Sequence, residues 1–147
     1  MERDVATLVD LVNQAYPTLP VMTNLEEWMS SLIENELIFV QRTAVTEKGN
    51  SLTSTKVMTE AIIVLHYPKR DGKYQPLSAS PLSNILRNGR YSYRGTTTGL
   101  LIDVDLSTLR IDSTRRDRTE ITFRFEYLQP VVRDQVEKIQ KFMVEEG

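Results

Sequence analysis

No cysteine occurs among the 147 residues, so disulfides and thiolate metal sites are excluded outright. Histidine is almost as scarce. His66 stands alone, and a lone imidazole supplies neither a multi-histidine metal cluster nor a general base without a positioned partner. The simpler account is a structural histidine at the end of an apolar strand, beside Tyr67. Glycine is sparse as well. Its one tight grouping, Gly95-Thr96-Thr97-Thr98-Gly99, lacks the lysine and the strand–loop–helix setting of a phosphate loop, and it reads as a flexible loop. No apolar run approaches the roughly 18 residues of a membrane-spanning helix. Neither sign of charge prevails: 18 basic against 20 acidic residues give a net charge of −2, which offers nucleic acid no global attraction. These absences leave little catalytic material. No catalytic, cofactor-binding or metal-binding residue is expected, no cofactor is implied, and the protein reads as a non-enzyme.

What is present suits a single α+β domain over 1–147, long enough to bury a core without covalent staples. The charged start, Met1-Glu2-Arg3-Asp4, leads into an amphipathic pattern and reads as the head of a helix capped by Asp4, not as a signal peptide. Val5, Leu8, Val9, Val12 and Tyr16 recur at three and four residues, the spacing of one buried stripe, and Pro17 and Pro20 stop it. A second helix is predicted after Thr23 or Asn24, with Thr23 and Glu26 at capping-box spacing. Its apolar face is Leu25, Trp28, Met29, Leu32 and Ile33, with Trp28 as a core anchor.

From Glu36 the period becomes extended. Leu37-Ile38-Phe39-Val40 opens a strand, and residues 57–67 (VMTEAIIVLHY) supply another, rich in β-branched side chains. The polar stretch between them, with Gly49-Asn50 at its middle, reads as a hairpin protruding near 43–57 and serving as a contact arm or a mobile loop. A connection with Pro68, Asp71-Gly72 and Pro76 follows. Next comes a short helix with Ser80 as N-cap, Pro81 in its first turn, Gly89 past its end, and Leu82, Ile85 and Leu86 facing inward. Strands are predicted over 100–106, 109–112 and 119–127. In the last, Ile121, Phe123, Phe125 and Tyr127 alternate with Glu120, Thr122, Arg124 and Glu126, one covered face and one wet face. Pro130 opens a final helix near 130–146. The order of elements favours an antiparallel sheet with helices packed mainly on one face.

Two acidic residues and two arginine groups carry what chemistry there is. Asp103 and Asp105 alternate along a strand, which is how some Mg²⁺ sites begin, but nothing fixes further oxygen ligands beside them. Arg87, Arg90 and Arg94 interleave with Tyr91 and Tyr93, while Arg115, Arg116 and Arg118 crowd a turn. Arginine with aromatics can grip single-stranded nucleic acid, and the same residues are enriched in protein–protein contacts. The slightly acidic total makes nucleic acid the less favoured partner. These eight residues, together with Lys48 and Asn50 at the hairpin tip, are the interface candidates.

Three stretches resemble the tail-terminator (tail-completion) family of long-tailed bacteriophages, or related head-to-tail connector proteins. They are the amphipathic helix broken by Tyr16-Pro17-Thr18-Leu19-Pro20, the polar hairpin feeding Ala61-Ile62-Ile63-Val64-Leu65-His66-Tyr67-Pro68, and the turn-plus-strand running from Arg116 through Tyr127. The likeness is one of architecture across most of the chain, and the helix near 130–146 is an addition to the family pattern. The resemblance implies a structural virion protein, assembled in the host cytoplasm. It would form a homo-oligomeric, six-fold ring that caps the tail tube protein and meets a head-completion or neck protein, with no membrane partner. The rival expectation is a nucleic-acid-binding or metal-dependent phosphoryl-transfer domain using the arginine loops or Asp103 and Asp105.

Overall fold

The computed structural model describes residues 1–49 and 51–130. Helix α1 (Arg3–Ala15) forms where the spacing predicts it, and buries Val5, Leu8, Leu11 and Val12, continued by Tyr16. Leu11 takes the inward place that the periodicity gave to Val9, which is only half-buried. The helix ends before Pro17, which cannot continue it. Asp4 does not cap it. Glu2 is the N-cap residue and makes no side-chain cap bond, while Asp4 sits in the first turn with its carboxylate turned into the protein.

After the two-residue strand β1 (Val21–Met22) and the short helix α2 (Leu25–Ser30), two thirteen-residue strands, β2 (Leu37–Gly49) and β3 (Ser54–His66), pair antiparallel. A small hairpin follows, β4 (Lys69–Arg70) and β5 (Lys73–Tyr74), where the sequence suggested only a connection. Its turn is Asp71-Gly72, both with positive φ, the conformation a two-residue hairpin loop requires. Then come α3 (Ser80–Asn88), β6 (Ser92–Arg94), β7 (Leu101–Val104), a 3-10 turn at Leu106–Thr108, β8 (Arg110–Asp112) and β9 (Arg118–Pro130).

Seven strands make one sheet in the order β1-β2-β3-β9-β7-β6, with β8 also on β9. β1 runs parallel to β2; every other pair is antiparallel. The fold is therefore α+β with a largely antiparallel sheet. Alternate residues point to one face: Ile38 and Val40 from β2, Ala61, Ile63 and Leu65 from β3, Ile102 and Val104 from β7, and Ile121, Phe123 and Phe125 from β9. Against them pack Leu8, Leu11 and Val12 of α1 and Leu82 and Leu86 of α3. Each large apolar side chain so buried contributes about 1.5–3 kcal/mol.

Three expectations change in part. The hairpin near 43–57 forms as an antiparallel pair, as expected, but is ladder and not a mobile loop, with pairing out to Gly49 and Thr55 on one side of β3 and to Pro130 on the other. A register shift at Thr43 interrupts it. Before the shift Arg42 lies opposite Ala61; after it Ala44 lies opposite Glu60, so odd-numbered residues of β2 now share the face that even-numbered ones held. Pro130 itself is a strand residue, the last described one of β9, opposite Ser54 of β3. The remainder of the helix expected near 130–146 lies outside the described residues, as does Asn50. Ser80 is the first residue of α3, not its cap, and its N–H is bonded to the Ser78 hydroxyl. Gly89 closes that helix at φ −87°. It is needed because a side chain there would strike the Ser92 carbonyl, while the left-handed turn falls on Arg90 and Tyr91.

Candidate functional site

The two arginine groups do not merge. Arg87 lies in the last turn of α3, with Arg90 exposed just beyond it. Arg115 and Arg116 border a shallow cleft with Ser80 and Ser83 of the helix's first turn. Seven helical rises of 1.5 Å from Ser80 to Arg87 set the groups about 10 Å apart along α3. Nor are all members surface residues. Tyr93 is a correction: it belongs to the buried core and reaches Gln14 with its hydroxyl at 3.4 Å, so it offers no contact surface. Tyr91 packs partly against the same core. Arg94 spans the neighbouring loop to the Gly99 carbonyl at 2.8 Å. Arg118 is held by Asp117 at 3.1 Å, and Arg115 stands 3.7 Å from Glu120. Arg87, Arg90 and Arg116 have no ion-pair partner among the described residues and remain the available charges.

The loop Gly95-Thr96-Thr97-Thr98-Gly99 is not flexible. Buried Asp10 of α1 accepts from the Thr97 amide at 3.0 Å and from its hydroxyl at 2.8 Å. The Thr7 and Thr98 hydroxyls meet at 2.7 Å, and Arg3 donates to the Thr98 carbonyl at 2.8 Å. Gly95 allows the approach, since a side chain there would collide with Thr98 and Asp10. The Thr97 and Thr98 hydroxyls are spent on the helix. Asp4, in the same helix, takes 2.5 Å and 3.0 Å bonds from Arg42 and Tyr127. Burial, and then the Asp4 charge, push the Tyr127 phenol well above its ordinary range. This locks α1 to β2 and β9.

Asp103 and Asp105 serve separate local purposes. Asp103 accepts from the Ser92 hydroxyl of the neighbouring strand, and Asp105 caps the 3-10 turn through Ser107. Among the described residues no three histidine or acidic side chains converge on a possible metal position.

Helix α2 departs furthest from expectation. None of its residues is buried, and the helix stops at Ser30, before Leu32 and Ile33. Asn24, not Thr23, is the cap, accepting from the Glu27 amide at 2.9 Å. Trp28 is the helix's one ring contact with the body. Its ring stacks on Phe39 at 4.2 Å, and its indole N–H donates to His66 Nε2 at 2.8 Å. Phe39 and His66 project from the sheet face opposite α1, so α2 covers the second face at one end. That bond requires neutral imidazole, in keeping with burial, and then Arg118, lowering the His66 pKa against a smaller opposing pull from Asp117.

At the far end of the ribbon, β2 residues 43–49 are exposed, with Lys48 opposite Lys56. Lys56 is drawn instead to Glu126 at 3.1 Å, and Arg124 to Glu60 at 3.1 Å, so the wet face of the sheet is laced by cross-strand ion pairs. Lys48 has no such pair among the described residues.

No family model matches the sequence, and no curated protein matches it either.

Proposed function

We propose that this protein is a structural component of a bacteriophage virion, a ring-forming tail terminator that caps the tail tube and joins it to the head or neck. One observation carries the reading. β2, β3 and β9 run on beyond the helix-covered part of the sheet as a three-stranded arm. Its outer strands, over 43–49 and 127–130, have no strand partner on their free edges among the described residues. Open edges of this length are templates for pairing with another chain. The arm is also stiff: β3 is hydrogen-bonded on both sides along its whole length, which suits a lever that must find its neighbour in a fixed orientation.

The test is mass and shape in solution. Light scattering on the size-exclusion eluate should give a discrete oligomer, and negative-stain images should show closed rings with a central opening. A monomer at every concentration, with or without tail tube protein, would overturn the reading.

A further inference from the structure

We infer that successive copies of this chain join head to tail through two exposed patches: an acidic apolar one on α2 and a basic apolar one around β8. The inference rests on the ring reading above and names the surfaces that would build the ring.

The first patch consists of Leu25, Met29 and Leu32, which are 47%, 73% and 85% exposed. Glu26, Glu27 and Glu34 stand among them, exposed and without an ion pair among the described residues. Between Arg3 and Arg42 the chain has no lysine or arginine at all, so nothing nearby in sequence offsets this charge. The second patch has Ile111, 45% exposed, which borders one cleft with Arg115 and Arg116.

Sheet register fixes where the patches lie. Met22, Phe39, Val64, Glu120 and Asp112 face one another in a single row across β1, β2, β3, β9 and β8. At about 4.8 Å per strand the row is about 19 Å wide. Trp28 sets α2 on Phe39, near one end of this row, and β8 forms the other end. The patches therefore occupy opposite edges of the sheet at the same level. A contact between like patches would set glutamate against glutamate or arginine against arginine, which is costly. A contact between unlike patches buries apolar surface on both sides and pairs opposite charges. Each copy then has one surface of each kind to offer, and such heterologous contacts close into a ring if the rotation permits.

The absence of cysteine makes a direct test possible. A chain carrying both Met29→Cys and Ile111→Cys, treated with a short bismaleimide, should give a ladder of cross-linked species ending at the ring number, whereas either single substitution should give none. A mixture of the two single variants should give cross-linked dimers alone. Cross-linked dimers from either single variant would show like patches meeting and overturn the inference. Oligomers by light scattering with no cross-links in the double variant would also overturn it, while leaving the ring reading intact. A monomer by light scattering with no cross-links would overturn both.

Discussion

Helices α1 and α2 carry the same apolar periodicity in sequence, yet their fates differ. In α1 the apolar stripe meets the sheet and α3, and polar groups reinforce the contact: Asp4 binds Arg42 and Tyr127, and Asp10 holds the loop at Thr97. In α2 the stripe meets little of its own chain. Trp28 alone lies on the sheet, and Leu25 and Met29, with Leu32 just past the helix, are exposed. Periodicity tells that a helix will have an apolar side; it does not tell which molecule covers it. A helix without a buried residue contributes little to folding, and its apolar side chains are then free to serve an interface.

The contrast should be measurable as stability. Leu8→Ala in α1 removes a fully buried side chain from the centre of the core and should cost about 3–5 kcal/mol, read as the shift in the urea midpoint. A loss under 1 kcal/mol would place α1 on the same footing as α2 and dissolve the comparison.

A smaller effect should follow from acid. The unfolded chain binds a proton at His66 more readily than the native one, whose pKa lies below the ordinary 6.5. The associated stability is complete above that value and declines as pH falls through it. Protonation also converts Nε2 from acceptor to donor, so the Trp28 bond is lost. The expected cost is about 1 kcal/mol. Because Trp28 is the only tryptophan, its fluorescence reports this one contact directly. The spectrum should shift with the midpoint near or below pH 6.5, and His66→Gln should flatten the response. A pH-independent spectrum in the wild type would mean that the histidine does not hold the helix.

The smallest change belongs to the open side of α2. Met29→Ser with Leu32→Ser should alter monomer stability by no more than about 0.5 kcal/mol, since neither side chain is buried. The same pair should abolish assembly by light scattering. A clear loss of stability would show that these residues already have a partner within the subunit.

Much of the fold is legible in the sequence for a simple reason. In β9 from Glu120 to Tyr127 each inward residue is large and apolar and each outward one polar or charged, so period and burial agree. In α3 the helical period agrees with burial in the same way, with Leu82 and Leu86 buried. Legibility fails where local pattern and tertiary cover part company. The far half of β2 has no apolar alternation, because backbone pairing with β3 secures it, and so its composition resembles a loop. The glycine–threonine loop is ordered by α1, nearly ninety positions away in sequence, and nothing local announces that. Among the candidate residues, Arg87, Arg90, Arg115 and Arg116 are surface groups as expected. Tyr93 looks like a surface tyrosine in sequence, because only its pairing opposite Ile102 turns it into the core. The apolar residues of α2 look like core in sequence, because nothing local shows that they lack cover.

The irregularity at Thr43 gives the arm a phase. Because one extra residue is accommodated there, Val45 and Glu47 lie on the side that would otherwise carry Ala44, Thr46 and Lys48. Deleting Thr43 would leave composition, charge and length almost untouched, and the hydrogen-bond ladder could close without the kink. The free edge would keep its side chains, with Val45 still opposite Thr59 and Lys48 opposite Lys56, and would lose only the bend and added twist of the bulge. Removing that one codon is a change that no point substitution in the arm can imitate, and it separates what the arm's chemistry contributes from what its direction does.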